Sequence, residues 1–129
     1  MSDAELLAGF ASGSLEPFHH RDHVHVAWLY LRREPLLQAA PRFCADLQRF
    51  AAAKGKPGLY HETVTLAFLF LIREGMPREA ERFEEFAARN PELLTWKPSA
   101  LDRYYREETL ASERARQGFV LPDRLAPRG

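Results

Sequence analysis

The chain has a single cysteine, Cys44, which excludes an internal disulfide and any thiolate cluster of the zinc-finger kind. Cys44 reads as a small buried thiol rather than a nucleophile, because it lies mid-helix and far along the chain from any histidine. An excess of charge of one sign is also missing. Eighteen Lys and Arg balance eighteen Asp and Glu, so no net positive field argues for nucleic acid or an anionic membrane as partner. The longest apolar run, Leu66 to Ile72, falls far short of the roughly 20 residues that span a bilayer. The first residues, Met1-Ser2-Asp3-Ala4-Glu5, are acidic and unlike a signal peptide. A cytoplasmic protein with no nucleic-acid or membrane partner is the expectation. There is no alternating strand pattern and no internal repeat. There is no H-E-x-x-H, no E-x-x-H pair of the di-iron bundles, no glycine-rich phosphate loop and no G-x-S-x-G. Those absences argue against the common metalloprotease, di-iron, nucleotide and serine-nucleophile chemistries.

What the chain does have is helical punctuation. With 46% hydrophobic and 28% charged residues over 129 positions, it suits one soluble domain with one core. Ser2 and Glu5 have capping-box spacing, so a first helix is expected over 3–11, closed by Gly13. Asp22 is the expected N-cap of a second helix, which Glu34-Pro35 stops near Arg33. An amphipathic third helix spans 36–53, with Pro41 as either a kink or its true start. The Lys54-Gly55-Lys56-Pro57-Gly58 run breaks it, and a fourth helix follows over 61–74. Pro77 is placed as the first residue of a fifth helix through Arg89. Ser99-Ala100-Leu101-Asp102 opens a sixth helix leading to Tyr104 and Tyr105, and Ser112 caps a last short one. A tail docks through Phe119 and Leu121 and is loose from about 124. The fold expected is all-α: a single-domain bundle of six to seven helices over 1–129. Val26 to Leu31 and Leu66 to Ile72 are apolar on every side, which makes the helices 22–33 and 61–74 the central pair. Short connections join antiparallel neighbours, so these two helices should share one end for their heads.

That end collects the histidines. Four of the five lie in Phe18-His19-His20-Arg21-Asp22-His23-Val24-His25, and the fifth lies in Tyr60-His61-Glu62-Thr63. Imidazoles and a carboxylate suit one divalent transition metal such as zinc, iron, nickel or manganese, with His20, His23 and His61 as ligands. Glu62 is then a fourth ligand or the general base of a small enzyme acting on a small polar substrate. Arg21, Asp22, Tyr60, Trp96, Tyr104 and Tyr105 are candidates for the surrounding pocket. Two other readings compete. The histidines can be structural in a non-catalytic module that docks a partner protein. Alternatively, Arg21, protonatable histidines and two helix starts can form a metal-free anion pocket. Each residue also has a plain role: Asp22 as a cap, Glu62 as a first-turn acid, and His19 and His25 as solvated edge residues.

Three stretches carry a resemblance. Phe18-x-His20-x-Asp22-His23-Val24-x-x-Ala27-Trp28-x-Tyr30-Leu31 is the first, and Tyr60-His61-Glu62-Thr63-x-Thr65 is the second. The third is Tyr104-Tyr105 with Ser112-x-x-Ala115-Arg116 and Phe119-Val120-x-Pro122-Asp123. Together they resemble a group of small uncharacterised bacterial proteins. The resemblance implies a soluble helical protein of bacterial origin and carries over no functional residue. Within it His20 is the motif position and His19 the variable one.

Overall fold

A computed structural model describes residues 1–124. Among them are seven α-helices and no strand. The helices are α1 (Asp3–Ser12), α2 (His20–Arg33), α3 (Leu36–Ala53), α4 (Glu62–Glu74), α5 (Phe83–Arg89), α6 (Glu107–Leu110) and α7 (Glu113–Gln117). Short 3-10 turns at Pro57–Leu59, Pro91–Leu93 and Ala100–Arg103 fill the connections. The all-α bundle is as expected. Residues 125–129, which include most of the expected loose tail, lie outside the described residues.

The helix starts show how local chemistry sets the boundaries. Ser2 and Glu5 form the reciprocal capping box of α1, and Gly13 closes that helix at φ 72°. A left-handed backbone there suits glycine, which has no Cβ to clash. Asp22 is not the N-cap of α2. His19 is the cap residue, and its N–H donates to the Asp22 carboxylate at 2.9 Å. The helix therefore starts two residues earlier than expected, with Asp22 serving from the third helical position. At α4 the cap is His61, whose Nδ1 accepts from the Val64 N–H at 3.1 Å. Pro41 sits inside a continuous α3.

Three expected elements differ. The fifth helix does not begin at Pro77; it covers only Phe83–Arg89, started by the Arg82 N–H donating to Glu85 at 3.1 Å. Ala80, the apolar residue of the stretch between Pro77 and Phe83, stays exposed and buries nothing against the core. Ser99 starts only a four-residue 3-10 turn, so Tyr104 and Tyr105 follow that turn and are not on a long helix. The tail is held by polar contacts together with the ring of Phe119, which meets Phe70 edge-on at 5.6 Å. The Val120 N–H donates to Thr63 Oγ1 at 3.1 Å, and the Tyr105 hydroxyl donates to the Val120 carbonyl at 2.6 Å. Leu121 does not dock as expected: it is 74% exposed, and Phe119 is only partly covered.

The core is built on α2. Val24, Val26, Ala27, Trp28, Leu29 and Leu31 are all buried, so this helix is enclosed round its circumference as its sequence requires. The other helix expected to be enclosed is only partly so: Thr63, Thr65, Ala67, Phe68, Leu69 and Ile72 are buried on α4, while Phe70 is exposed. α3 closes one side with Phe43, Leu47 and Phe50. Phe10 of α1 stacks on Phe43 at 5.8 Å and on Phe50 at 5.2 Å between ring centres. α5 has seven residues, too few to be helical alone; it is anchored by Phe83 and the fully buried Phe86, both against Trp28.

Candidate functional site

The heads of α2 and α4 open onto one cavity of about 850 Å³. His20 and His23 reach it from α2 and His61 from α4. Its depth is apolar: Val24 and Ala27 of α2, Phe43, Leu47 and Phe50 of α3, and Phe68, Leu69 and Ile72 of α4 are all buried wall residues. Leu59 and Trp96 form exposed lips, and Lys54, Lys56, Glu16 and Arg116 contribute the charged part of the lining.

Each histidine has a distinct situation. Both nitrogens of His61 are engaged. Nδ1 accepts the α4 capping bond, and Nε2 bonds the Leu110 carbonyl at 2.7 Å, which fixes the ring proton on Nε2. His20 donates from Nε2 to the Leu93 carbonyl at 2.9 Å and leaves Nδ1 unused. Its ring packs against Phe68 at 4.9 Å and Trp96 at 5.5 Å. Burial lowers its pKa, partly offset by the Leu93 carbonyl. Among the described residues His23 has no hydrogen-bond partner on either nitrogen. Its ring lies between Phe18 at 5.9 Å and Phe43 at 5.6 Å, with His20 at 6.4 Å. Burial away from water, and secondarily the neighbouring His20, bring its pKa down to about 4. His23 is thus a neutral imidazole in an apolar chamber, with one donor and one acceptor to offer.

The remaining candidates divide into those that line the chamber and those that do not. Tyr60 and Trp96 line it. The Tyr60 hydroxyl donates to Glu62, so Glu62 is occupied and is not part of the cavity wall. Burial, with Cys44 and Glu62 close by, pushes the Tyr60 pKa up. Arg21 points away to an exposed bidentate pair with Glu84, at 3.0 and 2.9 Å. Asp22 caps α2, as described above. Tyr105 is buried with its hydroxyl spent on Val120, and neither it nor Tyr104 reaches the cavity. The edge reading of His25 also changes: it stacks on Phe83 at 3.9 Å and bonds Asp3 at 3.0 Å.

This geometry bears on the expected chemistries. Among the described residues no three His, Cys, Asp or Glu side chains converge to hold a metal ion. The lone pair of His61 is taken by the Val64 N–H, and Glu62 does not line the chamber that His20, His23 and His61 share. Of the groups expected to hold an anion, Arg21 pairs with Glu84, and the His19 and Val64 N–H groups are bonded to Asp22 and His61. Lys54, Lys56, Thr65 and the α3 phenylalanines were missed as cavity residues. The lysines lie in what reads as a mere helix breaker, and the phenylalanines share one stripe with ordinary core positions. No protein-family model matches the chain, and neither does any curated protein or solved structure.

Proposed function

We propose that the protein binds a small, largely apolar molecule in the chamber between α2, α3 and α4. The observation that carries this reading is the cavity itself. At about 850 Å³ it falls in the roughly 300–1,000 Å³ range of small-molecule sites, which are apolar chambers with few polar groups. The chamber opens to solvent past exposed residues, so a guest can enter and bury its apolar surface against the walls. The exposed lips Leu59 and Trp96 give an apolar guest a continuous entry surface. The reading takes the protein to be cytoplasmic, which suits its free, buried Cys44 thiol. No helix among the described residues is long and apolar enough to cross a membrane.

The test is fluorescence titration with an uncharged apolar probe, N-phenyl-1-naphthylamine, on the native protein and on Val64→Phe. Val64 lines the chamber from α4, and a ring placed there takes up ligand space. Saturable binding of about one probe per chain, lost in a Val64→Phe variant that still melts cooperatively, supports the reading. Absence of binding, or equal binding by both proteins, refutes it.

A further inference from the structure

Three imidazoles line the chamber, where an apolar guest alone needs none, and two of them have unbonded nitrogens. His23 has both nitrogens without a partner among the described residues, and His20 has a free Nδ1, since only its Nε2 is bonded to the Leu93 carbonyl. Their ring centres are 6.4 Å apart. A ring centre lies about 4 Å from an oxygen hydrogen-bonded to one of its nitrogens, so one oxygen can reach both rings. The walls around them are Phe18, Phe43 and Phe68, and no carboxylate or ammonium lies among these contacts. The unbonded nitrogens of His23 and His20 belong to part-buried rings that line the chamber, and an occupant that displaces water from them must supply hydrogen bonds in its place.

We infer that the occupant carries a neutral hydroxyl, as a phenol or an alcohol on an apolar frame, and that His23 and His20 together recognise it. This rests on the chamber being a ligand site. The chemistry follows from the inventory. The His23 N–H donates to the hydroxyl oxygen, and the hydroxyl proton goes to the free Nδ1 of His20 or to the other nitrogen of His23. The charged lining residues Glu16, Lys54, Lys56 and Arg116 make no hydrogen bond or ion pair with the two imidazoles, so an ionised carboxylate or ammonium seated against the rings is disfavoured by its desolvation. A pure hydrocarbon fits the walls but leaves the imidazoles unpaired. His20 and His23 are thus specificity-determining residues, whereas His61 belongs to the helix cap.

Three probes of nearly one shape separate the possibilities: 2-naphthol, naphthalene and 2-naphthoate, titrated at pH 7.5 and followed by the His23 Hε1 resonance. The expected order is 2-naphthol tightest, by about tenfold over naphthalene and more over 2-naphthoate, with the His23 signal shifting on saturation. His23→Leu should remove the tenfold preference while retaining naphthalene binding. His23→Gln, which keeps a donor and an acceptor, should restore part of it. If naphthalene binds as well as 2-naphthol, or the preference survives in His23→Leu, the hydroxyl proposal is overturned while the ligand site stands. Tightest binding of 2-naphthoate overturns it in favour of recognition by Lys54 and Lys56. Failure of all three probes, together with N-phenyl-1-naphthylamine, removes the ligand site itself.

Discussion

Lowering the pH from 7.5 to 4 should destabilise this protein through His23, and the size of the effect can be worked out. In the unfolded chain the imidazole titrates near its ordinary value of 6.5, and in the folded chain at about 4. Above 6.5 the ring is neutral in both states, and its full contribution to stability is present. Between 6.5 and 4 the unfolded state takes up the proton and the folded state resists it, so stability falls with pH. Below 4 both states are protonated and the loss levels off. At about 1.4 kcal/mol per pKa unit the loss approaches about 3 kcal/mol, a large part of a typical net stability. His20 and His25 are shifted the same way, chiefly by burial, and add to the total. Urea unfolding of the native protein and of His23→Gln, each at pH 7.5 and 4, isolates the His23 part, because effects of other groups cancel in the difference. The stability gap between the two proteins should move by about 3 kcal/mol in favour of the variant at the lower pH. An NMR titration of His23 with its midpoint near 6.5, or a gap that does not move with pH, refutes the reasoning. Either would mean that water in the chamber solvates the imidazolium as well as bulk water does.

Three further outcomes follow from contacts already described. His61→Ala removes both the α4 cap and the bridge to Leu110 and should cost about 2 kcal/mol in urea unfolding, with His61→Asn recovering roughly half through its acceptor oxygen. Thr63→Val leaves the Gly118 carbonyl and Val120 N–H without the hydroxyl that joins them; it should cost about 1–3 kcal/mol and speed proteolytic cutting between 117 and 124. Cys44 is buried and its pKa is raised by burial, so a disulfide reagent at pH 8 should modify it far more slowly than a free thiol, with the rate rising to the free value in denaturant.

How much was legible in the sequence depended on the range of the interaction that decides each feature. The capping box at Ser2, the stop before Pro35 and the enclosure of α2 are set by residues within a few positions of one another, and all can be read directly. The start of α2 was displaced because Asp22 suits the cap and the third helical position equally well on sequence. His19 takes the cap only because its extended backbone aims its N–H at that carboxylate. The helix expected from Pro77 failed for the opposite reason. Its local signals are good, but only Phe83, Phe86 and Ala87 have a core to enter, so helix forms only where burial supports it. α4 looked enclosed because its apolar run is continuous, yet Phe70 faces outward and meets Phe119 at 5.6 Å.

The histidines show where local reading ends. Gathering His20, His23 and His61 at one end of the bundle follows from helix direction and loop length, and all three do line one chamber. Their chemistry does not follow, because it is decided by long-range carbonyls. Leu93 is 73 residues from His20, and Leu110 is 49 from His61. Those two carbonyls have two roles at once: they fix the ring proton on Nε2 and tie the later turns to the bundle, while the Val64 N–H takes the one lone pair of His61. His23 has no such partner, and nothing in its flanking sequence distinguishes it from His20. A residue expected to act as one of three equal ligands is instead the chamber imidazole with neither nitrogen hydrogen-bonded among the described residues. That asymmetry makes His23, rather than the histidine set, the position where substitution should change what the chamber accepts.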